Sequence, residues 1–357
     1  MNAALAALLR NPYPLYALMR RVAPVFHDRR HKLWVLFRFD DVRAVLNDPQ
    51  TFSSRAAPPG GKPLDWLIFL DPPLHSKLRG LVMRSFTPQA IAGLAPLIEA
   101  RVDALLDAVR ARGEMDVVAD FAEPLPLMVI ADLLGLPPAD AIGPRLRRWT
   151  DAILHLGDAI AGGEIAARAI ANFGAAKEEM RPYVLDLVAQ RRVQPANDLL
   201  SRLVAAEVDG ERLTDDDILG FFYLLLLAGS ETTTNLLGNA VLSLLKHPRE
   251  LQRPRENPEL LGSTIEEVLR YRSPVQLVFR TTTRDVTLRG KTIRAGSLVL
   301  AMIGSANRDA HQFARANAFD ITRSPSHIAF GHGAHFCIGA MLARLEAKIA
   351  LPRLLAL

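Results

Sequence analysis

A single cysteine, Cys337, stands in the run Phe330-Gly-His-Gly-Ala-His-Phe-Cys-Ile-Gly-Ala340, and no other residue of the chain offers a thiolate. A lone cysteine is more often a buried apolar side chain than a ligand. Here Gly331, Gly333 and Gly339 strip Cβ atoms from the backbone around the sulfur, as the approach of a flat ligand would require. A helix is expected to start just behind Cys337, where free N–H groups favour thiolate over thiol. With one cysteine and no Cys-x-x-Cys-His, an iron–sulfur cluster and covalently attached haem are excluded. One thiolate on the iron of a non-covalent haem stays available.

Three further groups could do chemistry. Ala228-Gly-Ser-Glu-Thr-Thr233 ends an apolar run that begins at Leu219. A helix that is apolar all round is buried, so Glu231 and the hydroxyls that follow must be satisfied or used. The Thr232 hydroxyl can bond to the carbonyl of residue 228 one turn back, while Ala228 and Gly229 leave space beside it. The outcome would be a polar notch in an apolar wall, although a helix end capped by Ser/Thr has the same pattern. In Glu266-Glu267-Val-Leu-Arg270, Arg270 can pair with either glutamate on the same helix face. Asp71-Pro72-Pro73 reads as a helix start with Asp71 as cap, which puts His75 and Arg79 one turn apart on one face.

These residues need elements to hold them. Leu33 to Phe39 alternates as a strand, and Asp40-Asp41 reads as the cap of a helix over Val42–Leu46. Residues 53–70, with three prolines and two glycines, read as a loop. From Pro72 to about Arg270 the periodicity is helical, with Pro/Gly breaks near 88, 124–126, 137–144, 162–163 and 210. Residues 275–301, turning at Arg289-Gly290, read as a β-hairpin. An irregular polar stretch, 304–329, leads to the cysteine loop, and a last helix from about Gly339 is expected to be interrupted by Pro352. The fold class is mostly α with a small β portion, in one integrated domain.

Composition narrows the function classes. Half of the 357 residues are apolar, enough for a large core, and one cysteine excludes a disulfide framework or a cysteine-rich zinc module. The net charge of +5 comes without any basic block, so it reads as a solvated surface and not as a nucleic-acid interface. MNAALAALLR lacks the basic start and length of a signal peptide, and the apolar run from Leu219 is about half a membrane span. The expected protein is soluble and cytoplasmic, with no membrane and no nucleic-acid partner.

Phe330-x-x-Gly333-x-His335-x-Cys337-x-Gly339 resembles the haem-binding signature of the cytochrome P450 family at every position, and Ala228-Gly229-x-Glu231-Thr232-Thr233 resembles its oxygen-binding helix. The order and spacing of motifs from about residue 12 to 350 are similar to soluble bacterial members. The resemblance implies a helix-rich prism enclosing haem b, bound non-covalently, with Cys337 as the axial ligand of the iron. It implies Thr232 and Glu231 as the catalytic proton relay, with Ala228, Gly229, Phe330, Gly333 and Gly339 against the cofactor. It sets His75, Arg79, Arg280 and His335 around the haem propionates and leaves His332 at a variable position. It selects Glu267 over Glu266 as the buried partner of Arg270, with Arg323 as third member of a structural charge group. The implied activity is insertion of one oxygen atom from O2 into a hydrophobic small molecule, by hydroxylation or epoxidation. With no flavin or iron–sulfur motif in the chain, electrons would come from a ferredoxin and its reductase. A substrate wall would draw on residues 56–69, the region from Trp149 to Phe173, and Leu224 to Ala228. Only 18 residues follow Gly339, so a single domain over residues 1–357 lacking the family's C-terminal strands is expected. The alternatives are a peroxide-driven or radical-coupling haem-thiolate enzyme, a haem sensor or store, and a haem-binding but impaired truncated homologue.

Overall fold

The computed structural model describes residues 10–356 apart from 57–63, 138, 162 and 209. The start of the chain and the middle of the expected 53–70 loop and substrate wall lie outside them. The fold is mostly α with a small β portion, and its contacts group into two units. One unit takes Met1–Arg55 and Asn239–Cys337, the other Ala56–Gly238 and Ile338–Leu357.

The first unit is built on a five-stranded sheet. Val25–Asp28 pairs antiparallel with Leu33–Leu36, which pairs parallel with Leu298–Ala301. Val278–Thr282 follows, antiparallel to Leu298–Ala301, and Phe52–Ser53 closes the order. The hairpin expected over 275–301 is present but divided. Its outer part, Val286–Leu288 with Lys291–Ile293, forms a separate ladder around Arg289 and Gly290. Both turn residues have positive φ (49° and 76°), the geometry that matches strand twist in a two-residue turn.

Val25, Leu36, Val42, Val45, Val299 and Ile303 are among the residues that make the core of this unit. The strand read over Leu33–Phe39 ends at Leu36, and the next helix, Phe39–Asn47, starts ahead of Asp40-Asp41. Its first N–H groups are served from afar, because Asp309 Oδ2 accepts from Phe39 N at 3.0 Å. Asp41 is therefore not a cap; it is buried and accepts from Arg289 Nε at 2.6 Å.

In the second unit, Ala95–Arg110 and the last helix, Ala340–Leu355, pack on each other. Pro352 does not interrupt that helix. A proline inside a helix loses a hydrogen bond and crowds the preceding turn, at about 3 kcal/mol or more, and packing outweighs this. Leu351, Leu354 and Leu355 are buried, and Arg353 reaches Asp103 at 3.0 Å and Glu99 at 3.7 Å.

Glu346, in the same helix, is buried with Oε2 lacking a hydrogen-bond partner. Burial pushes its carboxyl up from 4.5 to about 8. The folded state therefore holds it neutral, while an unfolded chain ionises it above pH 4.5. Stability from this site is full below that pH and declines as pH rises towards 8, at about 1.4 kcal/mol per pH unit. Glu346→Gln is expected to stabilise the fold at neutral pH by on the order of 3 kcal/mol, read as a raised thermal midpoint, and to leave the midpoint unchanged near pH 4.5. A gain of equal size at both pH values would show that the carboxyl is not held neutral.

Candidate functional site

The glycine-flanked cysteine lies at the end of a closed loop in the first unit. Its N–H donates to the Phe330 carbonyl at 2.9 Å, which bends residues 330–337 back on themselves. Gly331 and Gly333 both have positive φ (74° and 70°), so the loop requires glycine there on backbone grounds. At Gly333 a Cβ would also meet the Leu46 carbonyl at 2.7 Å. That glycine thus serves the end of the Phe39–Asn47 helix, a reason distinct from the flat ligand inferred from sequence. Gly339, in the second unit, has an ordinary φ of −78° as the cap residue of the last helix. Cys337 is half-buried. His335 ends a short turn over Gly333–His335, with Nε2 3.1 Å from Ser54 Oγ. His332, left aside above, accepts from Arg43 Nε at 3.3 Å.

Behind this loop the helix Leu261–Tyr271 presents Glu267 and Arg270, both wholly buried. Arg270 Nε and Nη2 donate to Glu267 Oε2 and Oε1, each at 2.7 Å, a bidentate pair. Arg323 Nε is 3.5 Å from Glu267 Oε2, and the Asp320 N–H donates to Oε1 at 2.9 Å. Arg270 also donates to the carbonyls of Asn307, Ala316 and Ala318. One guanidinium therefore organises the irregular stretch that leads to the cysteine. Glu266 turns away to His327. Arg280, on the strand Val278–Thr282, is buried and donates to the Phe279 carbonyl at 2.7 Å.

The apolar run lies in the second unit, in the first half of a 32-residue helix, Asp215–Lys246. Phe221, Phe222, Tyr223 and Leu226 are buried, whereas Ala228 and Glu231, a turn further on, are exposed. Three hydroxyls bond back by one turn: Ser230 to Leu226 O at 2.6 Å, Thr232 to Ala228 O at 2.5 Å, and Thr234 to Ser230 O at 3.0 Å. Such bonds compete with the helix ladder and bend it. The helix continues through the motif, so it is not the capped end that the sequence also allowed. The space left by Gly229 is not an opening in the wall; a Cβ there would lie 2.6 Å from Ile130 Cδ1.

His75 and Arg79 lie on the helix Leu74–Ser85, His75 buried and Arg79 half-buried. This helix starts after Pro73, and the Asp71 carbonyl, not its carboxylate, receives the His75 N–H at 3.0 Å. Pro72 and Pro73 have no N–H for the carboxylate to cap. Of the expected substrate wall, Trp66 and Phe173 meet with ring centroids 5.9 Å apart, and Tyr223, one residue outside the expected segment, joins them at 5.8 and 6.4 Å. Trp149 is instead core, 1% exposed, with its Nε1 donating to Glu179 at 3.0 Å.

Among the described residues no three His, Cys, Asp or Glu side chains converge to hold a bare metal ion. A lone half-buried thiol fits a metal whose remaining ligands arrive with a macrocycle. In the unit that holds Cys337, the buried Arg280 and the half-buried His335 suit the carboxylates such a group carries.

The Cytochrome P450 family profile matches residues 167–356. The chain belongs to that family; it is an oxidoreductase of the monooxygenase class whose cofactor is non-covalently bound haem. It is 41% identical to cytochrome P450 109 of Bacillus spizizenii, over 97% of this chain and 84% of that protein. It is 42% identical to the cyclomarin C epoxidase CymV of Salinispora arenicola, over 93% of this chain and 85% of the relative. The crystal structure of CYP109E1 from Bacillus megaterium in complex with testosterone has a TM-score of 0.88 at 40% identity, covering 97% of this chain and 91% of its own. No single helix among the described residues is long and apolar enough to cross a membrane.

Proposed function

We propose that this protein inserts one atom of O2 into a hydrophobic small molecule, with Cys337 as the residue that would hold the iron of haem b through its thiolate. The observation that carries the oxygen-activation part is the Thr232 hydroxyl fixed on the Ala228 carbonyl at 2.5 Å, beside the exposed Glu231. When bound, haem supplies the iron at which dioxygen is reduced. The protein's own residues hold and move protons. Thr232, with its hydrogen committed to Ala228, keeps oxygen lone pairs to orient a donor, and Glu231 exchanges protons with solvent. His75, Arg79, Arg280 and His335 bind the propionates, and Phe330, Gly333, Ala228, Gly229 and Gly339 contribute surface against the cofactor. Glu267, Arg270 and Arg323 hold the stretch that delivers the cysteine loop.

A testosterone-bound relative and an epoxidase among the relatives support a hydrophobic guest and oxygen insertion at C–H or C=C. A ferredoxin and its reductase supply electrons, and the enzyme works in the cytoplasm.

Thr232→Ala removes the hydroxyl but no backbone group. Turnover with a surrogate ferredoxin system is then expected to uncouple, with reductant consumed at near the parental rate and most of it recovered as hydrogen peroxide. Positioned proton delivery of this kind contributes about 100-fold or more to its step. Coupling that survives in the variant would remove Thr232 from the proton relay. Activity driven by peroxide alone, unaffected by the substitution, would favour a peroxide-driven enzyme.

A further inference from the structure

We infer that His327, held as a single neutral tautomer by Glu266, is a positioning residue for the Cys337 loop. Its role rests on the reading of Cys337 as the iron ligand. The His327 side chain is 3% exposed. Its Nδ1 accepts the Ala329 N–H at 3.1 Å, so Nδ1 carries no hydrogen. Nε2 then bears the proton and donates it to Glu266 Oε2 at 3.1 Å. A doubly protonated ring would oppose the Ala329 N–H with a second donor, so the geometry admits the neutral form alone.

The consequence reaches the cysteine through the backbone. Ile328 N–H donates to Asn307 Oδ1 at 2.9 Å, Ala329 N–H to His327, and Gly331 N–H to the Ile328 carbonyl at 2.9 Å. Within this pinned segment the Phe330 carbonyl, two residues on, accepts the Cys337 N–H. The Phe330 ring lies between His327 and Phe336, at centroid distances of 6.1 and 6.4 Å. Orienting the 328–331 backbone therefore orients the acceptor of the Cys337 N–H. The Glu267–Arg270 pair, with Asn307 O on Arg270, anchors the same helix from the other side of Glu266. Adjacent glutamates thus divide the labour: Glu267 holds the stretch before the loop, and Glu266 sets the histidine that fixes its entrance.

The test uses reduced, carbon monoxide-bound holoenzyme and follows conversion of the red-shifted thiolate Soret band to the shorter-wavelength band of a protonated thiol. His327→Leu leaves the Ala329 N–H without its acceptor, and conversion is expected to quicken on the order of tenfold. His327→Asn offers a side-chain oxygen to the N–H two residues on, as Asx turns do, and is expected to restore a near-parental rate. Leu and Asn variants that convert alike would overturn the inference. A parental protein with no thiolate band would overturn the haem-thiolate reading itself, a separate outcome. If the leucine variant does not fold, nitrogen NMR of the parental imidazole decides: the Nε2–H tautomer supports the role, and Nδ1–H or a doubly protonated ring ends it.

Discussion

Cys337→Ser is expected to abolish the red-shifted Soret band of the reduced carbon monoxide complex and, with it, oxygen insertion. The substitution is narrow. The loop is closed by the Cys337 N–H on the Phe330 carbonyl, a backbone bond that serine keeps, and by glycines at positive φ, which it does not touch. Only the soft, ionisable sulfur is lost. A thiol ionises near pH 8.5 and further down in an electropositive setting, whereas a serine hydroxyl keeps its proton. With haem bound, the Cys337 thiolate would supply the electron density that oxygen activation at a haem iron draws on. The hydroxyl has no comparable charge to give. The serine protein should still take up haem, since Arg280, His335, His75 and Arg79 are unchanged. Its carbon monoxide spectrum should resemble that of iron with a neutral or histidine ligand. Retention of the thiolate band in the serine variant would sink the assignment of Cys337.

How much of this was legible in the sequence depends on how far each residue reaches. Local geometry was readable: the Arg289-Gly290 turn, the buried helix from Leu219, and the Thr232 hydroxyl on the carbonyl four residues back follow from near neighbours. Pairing across the chain was not. Asp40-Asp41 looks like a cap, but the Phe39 N–H finds Asp309, 270 positions away. Gly229 looks like open space, but Ile130 fills it. Glu266 and Glu267 have equal claims on Arg270 by spacing, and only the fold sends Glu266 to His327. Pro352 marks a break by its own chemistry, yet the leucines around it pack the helix through it. Each miss is a tertiary contact overriding a local preference.

The Glu267–Arg270 pair shows why such contacts matter to stability as well as to the site. Glu267→Gln keeps the side-chain shape and removes the charge, leaving Arg270 wholly buried without its carboxylate and taking from Arg323 the charge 3.5 Å away. Breaking a buried pair by taking one partner away costs about 3–5 kcal/mol, and that loss is expected in the urea unfolding of the haem-loaded protein. In some proteins replacing both partners by apolar residues recovers the loss, because two desolvated charges disappear together. Here recovery is not expected from Glu267→Leu with Arg270→Leu. Arg270 also satisfies the carbonyls of Asn307, Ala316 and Ala318, and Glu267 the Asp320 N–H. The double variant would leave those four backbone groups unpaired, at about 1–3 kcal/mol each when buried. It should therefore unfold at a urea concentration no higher than the Glu267→Gln single variant. A double variant as stable as the parent would mean that the pair compensates only itself, and that the stretch before the cysteine loop is held by something else.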